Sequence, residues 1–162
     1  MAIDKILVVV ELTDAGPTAT SLELLTAARS LATSVEAITW GSGTAAAAAV
    51  VGSYGATTLH DVGDLAGSLP GVPVAGAIAT LVGSLSSSAI LIPTSYDGRD
   101  IAGRLSAKLN LPVLTNITGL NDNGTLSTEH PIFGGTQIVH ASFTGSGPGI
   151  FVVRAKIGRA HV

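Results

Sequence analysis

The sequence contains no cysteine. This excludes disulfides and any zinc or iron–sulfur site held by thiolates. Charge is also scarce. Asp, Glu, Lys and Arg make up 12% of the 162 residues, about half the usual share of ~25%. A chain with so little charge points to apolar surface that meets a partner. Aromatic residues account for only 4%. The net charge of −3 gives no basic footprint, so nucleic acid is not expected as a partner. Two nucleotide signatures are missing, GxxxxGK[ST] and a strand-linked GxGxxG. There is no long hydrophobic span either. "KILVVVEL", close to Met1, is too short for a signal peptide. The most apolar stretch, Val72 to Ile92, holds four serines and is followed by Pro93. It reads as a buried helix followed by a buried strand, with no membrane insertion.

What is present is an alternation of apolar runs and helical patterns. Ile6–Val10 is a continuous β-rich run, as in a strand buried on both faces. "TDAGPTAT" turns the chain, and Thr20 with Glu23 reads as a capping box for a helix over Thr20–Ala32. A strand over Val35–Trp40, an Ala-rich helix over Thr44–Tyr54 and a short strand over Thr57–His60 follow. Then come a helix over Val72–Leu85 and a fourth strand over Ala89–Ile92. Asp97 is the expected cap of the next helix, with Asp100 in its first turn. Ile101, Leu105 and Leu109 mark the buried face of that helix, and Pro112 ends it before the strand "VLTNITGL". After Leu120 the pattern changes. Thr125–Thr128, Pro131–Phe143 and Ile150–Val153 are strand-like, with Gly-rich breaks and no helix between them. The expected fold class is α/β: an open, mostly parallel, doubly wound sheet with a C-terminal three-stranded antiparallel appendage.

In such a sheet ligands bind beyond the carboxyl ends of the strands, where the strand order reverses. If the first strand is central and the fourth lies on its other side, the loops Glu11–Gly16 and Pro93–Gly98 form the walls of that crevice. The crevice candidates are therefore Glu11, Thr94, Ser95, Asp97, Gly98 and Arg99. A helix start with Thr94 and Ser95 hydroxyls suits a phosphate. Asp97 and Asp100 place negative charge where the anion would dock, and Arg99 offsets only part of it. His60-Asp61, His130 and His140 lack the spacing of metal ligands, and no metal site is expected. Ser86–Ser88 has no nearby base, so no catalytic nucleophile is expected. "IFGGTQ", Ile132–Gln137, reads as a glycine bulge or close backbone approach.

Three segments in order carry a resemblance. They are Glu11 with "LELLTAARSLA" (Leu22–Ala32), "SYDGRDIAGRLSAKLNLPVLTNITGL" (Ser95–Leu120), and "PIFGGTQIVHASF" (Pro131–Phe143) leading to "GIFVVR". Together, over residues 3–154, they resemble the N-terminal domain of the alpha subunit of electron transfer flavoprotein. The resemblance implies an electron carrier with no substrate turnover of its own. It implies an alpha/beta heterodimer whose FAD is held mainly by a second alpha-subunit domain, absent here. The crevice of this domain would then hold no cofactor, and its role would be assembly with the beta subunit and shielding of the flavin. Flavin dehydrogenases, including those of fatty acid beta-oxidation, and a quinone oxidoreductase are the implied partners, in a bacterial cytoplasm. The alternative reading is a stand-alone AMP- or ATP-binding domain like the universal stress proteins. Residues 1–154 are expected to form the domain. Residues 155–162, "AKIGRAHV", are expected to be a non-native tail on a truncated chain, with no meaning attached to Arg159 or His161.

Overall fold

The computed structural model describes residues 3–155. The chain opens with strand β1 (Ile3–Val9), a two-residue hairpin of β2 (Leu12–Thr13) and β3 (Gly16–Pro17), and helix α1 (Ala19–Leu31). Strand β4 (Ala32–Thr39), helix α2 (Thr44–Ser53), strand β5 (Thr58–Asp61) and helix α3 (Gly71–Leu85) follow. Next come β6 (Ala89–Pro93), α4 (Tyr96–Leu109), β7 (Val113–Ile117), β8 (Gly119–Asp122), β9 (Leu126–Ile132), β10 (Gln137–Ser142) and β11 (Gly149–Val153).

Six strands form the central sheet in the order β5-β4-β1-β6-β11-β7, and every pair in it is parallel. β8, β9 and β10 form a separate antiparallel sheet. The expected fold class is the observed one. Alternate residues of the central strands feed two cores. Ile6, Val8 and Val10 meet Leu24, Leu25 and Ala28 of α1 and Ala47 and Val51 of α2. Leu7, Val9 and Ile38 meet Val74, Ala75 and Ile78 of α3 and Ile101, Ala102 and Leu105 of α4. Burial on both faces is why these strands read as unbroken apolar runs. The stretch Val72–Ile92 divides as expected into helix and buried strand. Among the described residues no helix is long and apolar enough to cross a membrane.

Outside the crevice loops, four sequence expectations need correction. The cap of α1 is Thr18, not Thr20. Pro17 delivers Thr18 in extended conformation, and its Oγ1 accepts from the Ser21 N–H at 3.2 Å, so Thr20 falls inside the first turn. The run "VLTNITGL" is two strands in different sheets. Asn116 adopts a left-handed φ of 58°, tolerable for Asn. The β11–β7 register shifts beside it, and the chain leaves the central sheet between Ile117 and Gly119. Ile150–Val153 lies outside the appendage: β11 inserts between β6 and β7 with all five residues buried. Its unalternated "GIFVV" suits two covered faces, not the half-open appendage. The appendage is completed instead by β8. "IFGGTQ" is neither a bulge nor a close approach. Phe133, Gly134 and Gly135 take φ of 49°, 66° and 90° at the tip of the β9–β10 hairpin. Both glycines face open space.

The expected tail, residues 155–162, lies outside the described residues apart from Ala155.

Candidate functional site at the strand-order switch

β1 and β6 lie side by side at the middle of the sheet. β1 leads into α1 on one face and β6 into α4 on the other. This is where the strand order reverses, and the loops after β1 and β6 meet there.

Local hydrogen bonds fix Glu11 in the first loop. Its N–H donates to Ser21 Oγ at 2.9 Å, and its carbonyl accepts from the Thr18 N–H at 2.9 Å. Its side chain reaches across to the second loop, where Oε1 accepts a short hydrogen bond from Ser95 Oγ. Ser95 is extended and caps α4, its Oγ accepting from the Gly98 N–H at 2.8 Å. One hydroxyl thus caps the start of the helix and joins loops 84 residues apart. The cap is Ser95 rather than the expected Asp97. Asp97 occupies the first turn and stays exposed, where its charge still suits the helix N-terminus.

Burial pushes the Glu11 carboxyl above its ordinary value. The hydrogen bond from Ser95 opposes this, and the negative charge of Asp97 adds to it. Gly98 is fixed by close approach, since a Cβ there would collide with the Pro93 carbonyl oxygen. The backbone N–H of Thr94 donates to the Val153 carbonyl at 2.9 Å. Its Oγ1 is buried without a hydrogen-bond partner among the described residues. Arg99 turns back on its own helix: its guanidinium lies 5.2 Å from the centre of the exposed Tyr96 ring, and Nε donates to the Ser95 carbonyl at 3.2 Å.

All six sequence-predicted crevice residues are therefore brought to one place. Their chemistry does not fit a phosphate or a flavin pyrophosphate. Glu11 engages the capping hydroxyl, Asp97 adds a second negative charge, and the single cation is held against Tyr96.

The histidines are spread out. His60 Nε2 lies 2.6 Å from Glu36 Oε2, and Lys5 Nζ lies 2.6 Å from Glu36 Oε1. Burial pushes the Glu36 carboxyl up, but the hydrogen bonds from Lys5 and His60 outweigh it, so the carboxyl sits below its ordinary value. This three-strand cluster was missed from sequence. Its only signal is a lone charged residue, Glu36, in the β-rich run "VEAITW". Asp61 accepts from Thr44 Oγ1 at 3.1 Å and from the Gly63 N–H at 2.8 Å. His140 lies on the exposed strand β10. Among the described residues no group of three His, Cys, Asp or Glu could hold a metal ion. A cavity of 790 Å³ lies elsewhere, between α1 and β8, lined by Glu23, Arg29, Tyr54, Asn121 and Glu129 among others. None of the six crevice residues lines it.

The sequence model of the electron transfer flavoprotein domain matches residues 6–160. The chain belongs to the electron transfer flavoprotein family. It is 31% identical over 153 residues to the electron transfer flavoprotein subunit alpha of Mycobacterium tuberculosis, covering 93% of this chain and 47% of that protein. It is 32% identical over 151 residues to the subunit alpha of Mycobacterium leprae, covering 92% of this chain and 46% of that one. The chain thus spans about half the length of these curated relatives. For this electron transfer flavoprotein domain, the crevice is a joint between two loops tied by Glu11 and Ser95.

Proposed function

We propose that this chain is the N-terminal domain of an electron transfer flavoprotein alpha subunit, acting as scaffold in an intact electron carrier. The observation that carries the reading is the match to alpha subunits over more than nine-tenths of the chain. In the intact protein a further alpha domain would hold FAD. The flavin would take electrons from dehydrogenases, those of fatty acid beta-oxidation included, and pass them to a quinone oxidoreductase or another acceptor in the bacterial cytoplasm. This domain would pair with a beta subunit and help to shield the flavin. Its own crevice would bind neither flavin nor AMP, and the Glu11–Ser95 contact supports that part of the reading. Without a cofactor or a reactive pair of its own, the domain would turn over no substrate.

The test is a visible absorption spectrum and an AMP titration of the purified chain, alone and then mixed with a beta subunit. The expected result is no flavin absorption, no AMP binding and a stable one-to-one complex with beta. Failure to bind any cognate beta subunit would overturn the scaffold reading. Tight AMP binding by the chain alone would favour a nucleotide-binding domain of the universal-stress type.

A further inference from the structure

The antiparallel appendage is tied to the central sheet where β9 passes the end of β7. The Thr118 N–H donates to the Glu129 carbonyl at 2.9 Å, and His130 Nδ1 lies 2.9 Å from the Thr115 carbonyl oxygen. A carbonyl only accepts, so His130 carries a proton on Nδ1. Its other nitrogen, Nε2, lies 2.6 Å from Thr128 Oγ1, and the same hydroxyl lies 3.0 Å from the Ala141 carbonyl oxygen. Thr128 is fully buried, so no solvent supplies a substitute partner.

A hydroxyl has one proton to donate. Beside a neutral imidazole, Nε2 is a bare acceptor, and the hydroxyl proton cannot serve both Nε2 and the Ala141 oxygen. Beside an imidazolium, Nε2–H donates to Oγ1 and the hydroxyl is free to donate to Ala141. All three contacts are then satisfied together. We propose that His130 and Thr128 form a proton-operated catch: a proton gained at Nε2 swings the Thr128 hydroxyl from the histidine to the Ala141 carbonyl, so β10 responds to pH through β9. Only a proton from solvent is gained, and no covalent bond changes.

No charged side chain faces His130 from the strands packed against it. β7 contains no ionisable residue. On β10 the residue opposite His130 is Val139, its same-face neighbours are Gln137 and Ala141, and His140 alternates to the other face. On β8 the nearest same-face residue is Leu120, while Asp122 pairs with Leu126 at the far end. Glu129 alternates away and accepts from Asn121 Nδ2 at 2.9 Å. The catch bears on the hairpin that carries the exposed Phe133, Ile138 and Val139, and so on how firmly that apolar edge is held.

The test uses the whole chain carrying His140→Gln, which removes the one ionisable side chain of β10. Imidazole nitrogen signals and the Ala141 carbonyl carbon signal are followed by NMR from about pH 5 to 8, the range in which histidine ordinarily titrates. The expected result is an Nδ1–H tautomer in the neutral form and an Ala141 shift with the same midpoint as His130. Thr128→Val should leave His130 titrating while the Ala141 shift goes flat, and Thr128→Ser should keep the coupling. If Thr128→Val does not fold, His130→Gln should flatten the Ala141 shift instead. An Nε2–H tautomer, a flat Ala141 signal in the His140→Gln chain, or coupling that survives loss of the hydroxyl would overturn the catch.

Discussion

At the residue scale, two carboxylates, half-buried Glu11 and buried Glu36, are shifted in opposite directions. The Glu11 carboxyl is raised above its ordinary value of 4.5. As pH climbs from 4.5 toward the raised value, the unfolded chain loses its proton first, so the folded state loses stability across that window. Glu11→Gln keeps an acceptor for Ser95 and should abolish the loss, as checked by urea midpoints measured in steps through the window. Glu36 is lowered from 4.5. Its contribution is present above 4.5 and disappears as pH falls from there through its lowered folded value. Glu36→Gln should remove that acid loss. At neutral pH it should cost roughly 1–3 kcal/mol, by leaving Lys5 and His60 without their anion. In the parent chain the two windows adjoin at 4.5, Glu36 acting below it and Glu11 above it, and the single variants assign each slope to its residue. Ser95→Ala should destabilise by about 1 kcal/mol through loss of the cap, whereas Asp97→Ala should cost only a few tenths, about the lower end of a charge–dipole contact. Equal losses from the two would contradict the observed cap. Glu11 and Ser95 were legible because they sit at the ends of obvious buried strands. The choice between Ser95 and Asp97 was not, since both are good capping residues and only the backbone geometry separates them. The Lys5–Glu36–His60 cluster was hidden because it depends on the register of three strands.

At the element scale, α4 shows how one helix holds glycines of opposite meaning. A Cβ on Gly98 would strike the Pro93 carbonyl, a backbone atom that cannot swing aside. Gly98→Ala should therefore destabilise by roughly 1–3 kcal/mol, as overpacking does. Gly103 is exposed in the same helix with nothing within 4 Å of its would-be Cβ. Gly103→Ala should stabilise by about 0.5–1 kcal/mol. Thermal unfolding of the two variants side by side checks both signs. The α4 pattern was plain in sequence because Ile101, Leu105 and Leu109 mark one face of a single element. β11 was misplaced because a strand's sequence shows how many of its faces are covered, not which strands flank it. "GIFVV" carried the sign of two-sided burial, and adjacency to the antiparallel segments outweighed it. Phe151→Ala in β11 removes a 2% exposed ring that packs 5.1 Å from the centre of Phe143. It should cost about 3–5 kcal/mol, readable from the urea midpoint. A loss under 1 kcal/mol would mean that β11 is peripheral.

At the scale of the whole molecule, the alternation of strands and helices was enough for the α/β class, whereas β1 and β6 as neighbours entered the sequence reading only as a condition that the sheet order meets. The residues that carried the resemblance to electron transfer flavoprotein alpha subunits also form the crevice, α4 and the β9–β10 hairpin. The place of the last strand was legible neither from pattern nor from local spacing, because it depends on a pairing far along the chain. β11 pairs with β6 sixty residues earlier, Gly149 with Ala89 and Val153 with Pro93. That pairing bears on the chain's birth. During vectorial synthesis β1, β4, β5 and β6 emerge and can associate, but β7 emerges before the strand that joins it to them. Until residues 149–153 leave the ribosome, β6 keeps an open apolar edge and β7 has no parallel neighbour. The nascent chain therefore carries a half-sheet until β11 emerges, and the appendage is made while the gap is still open. A nascent chain stalled with Val113–Pro148 outside the ribosome and β11 still inside it should be protease-sensitive from Val113 onward, and emergence of β11 should protect it in one step.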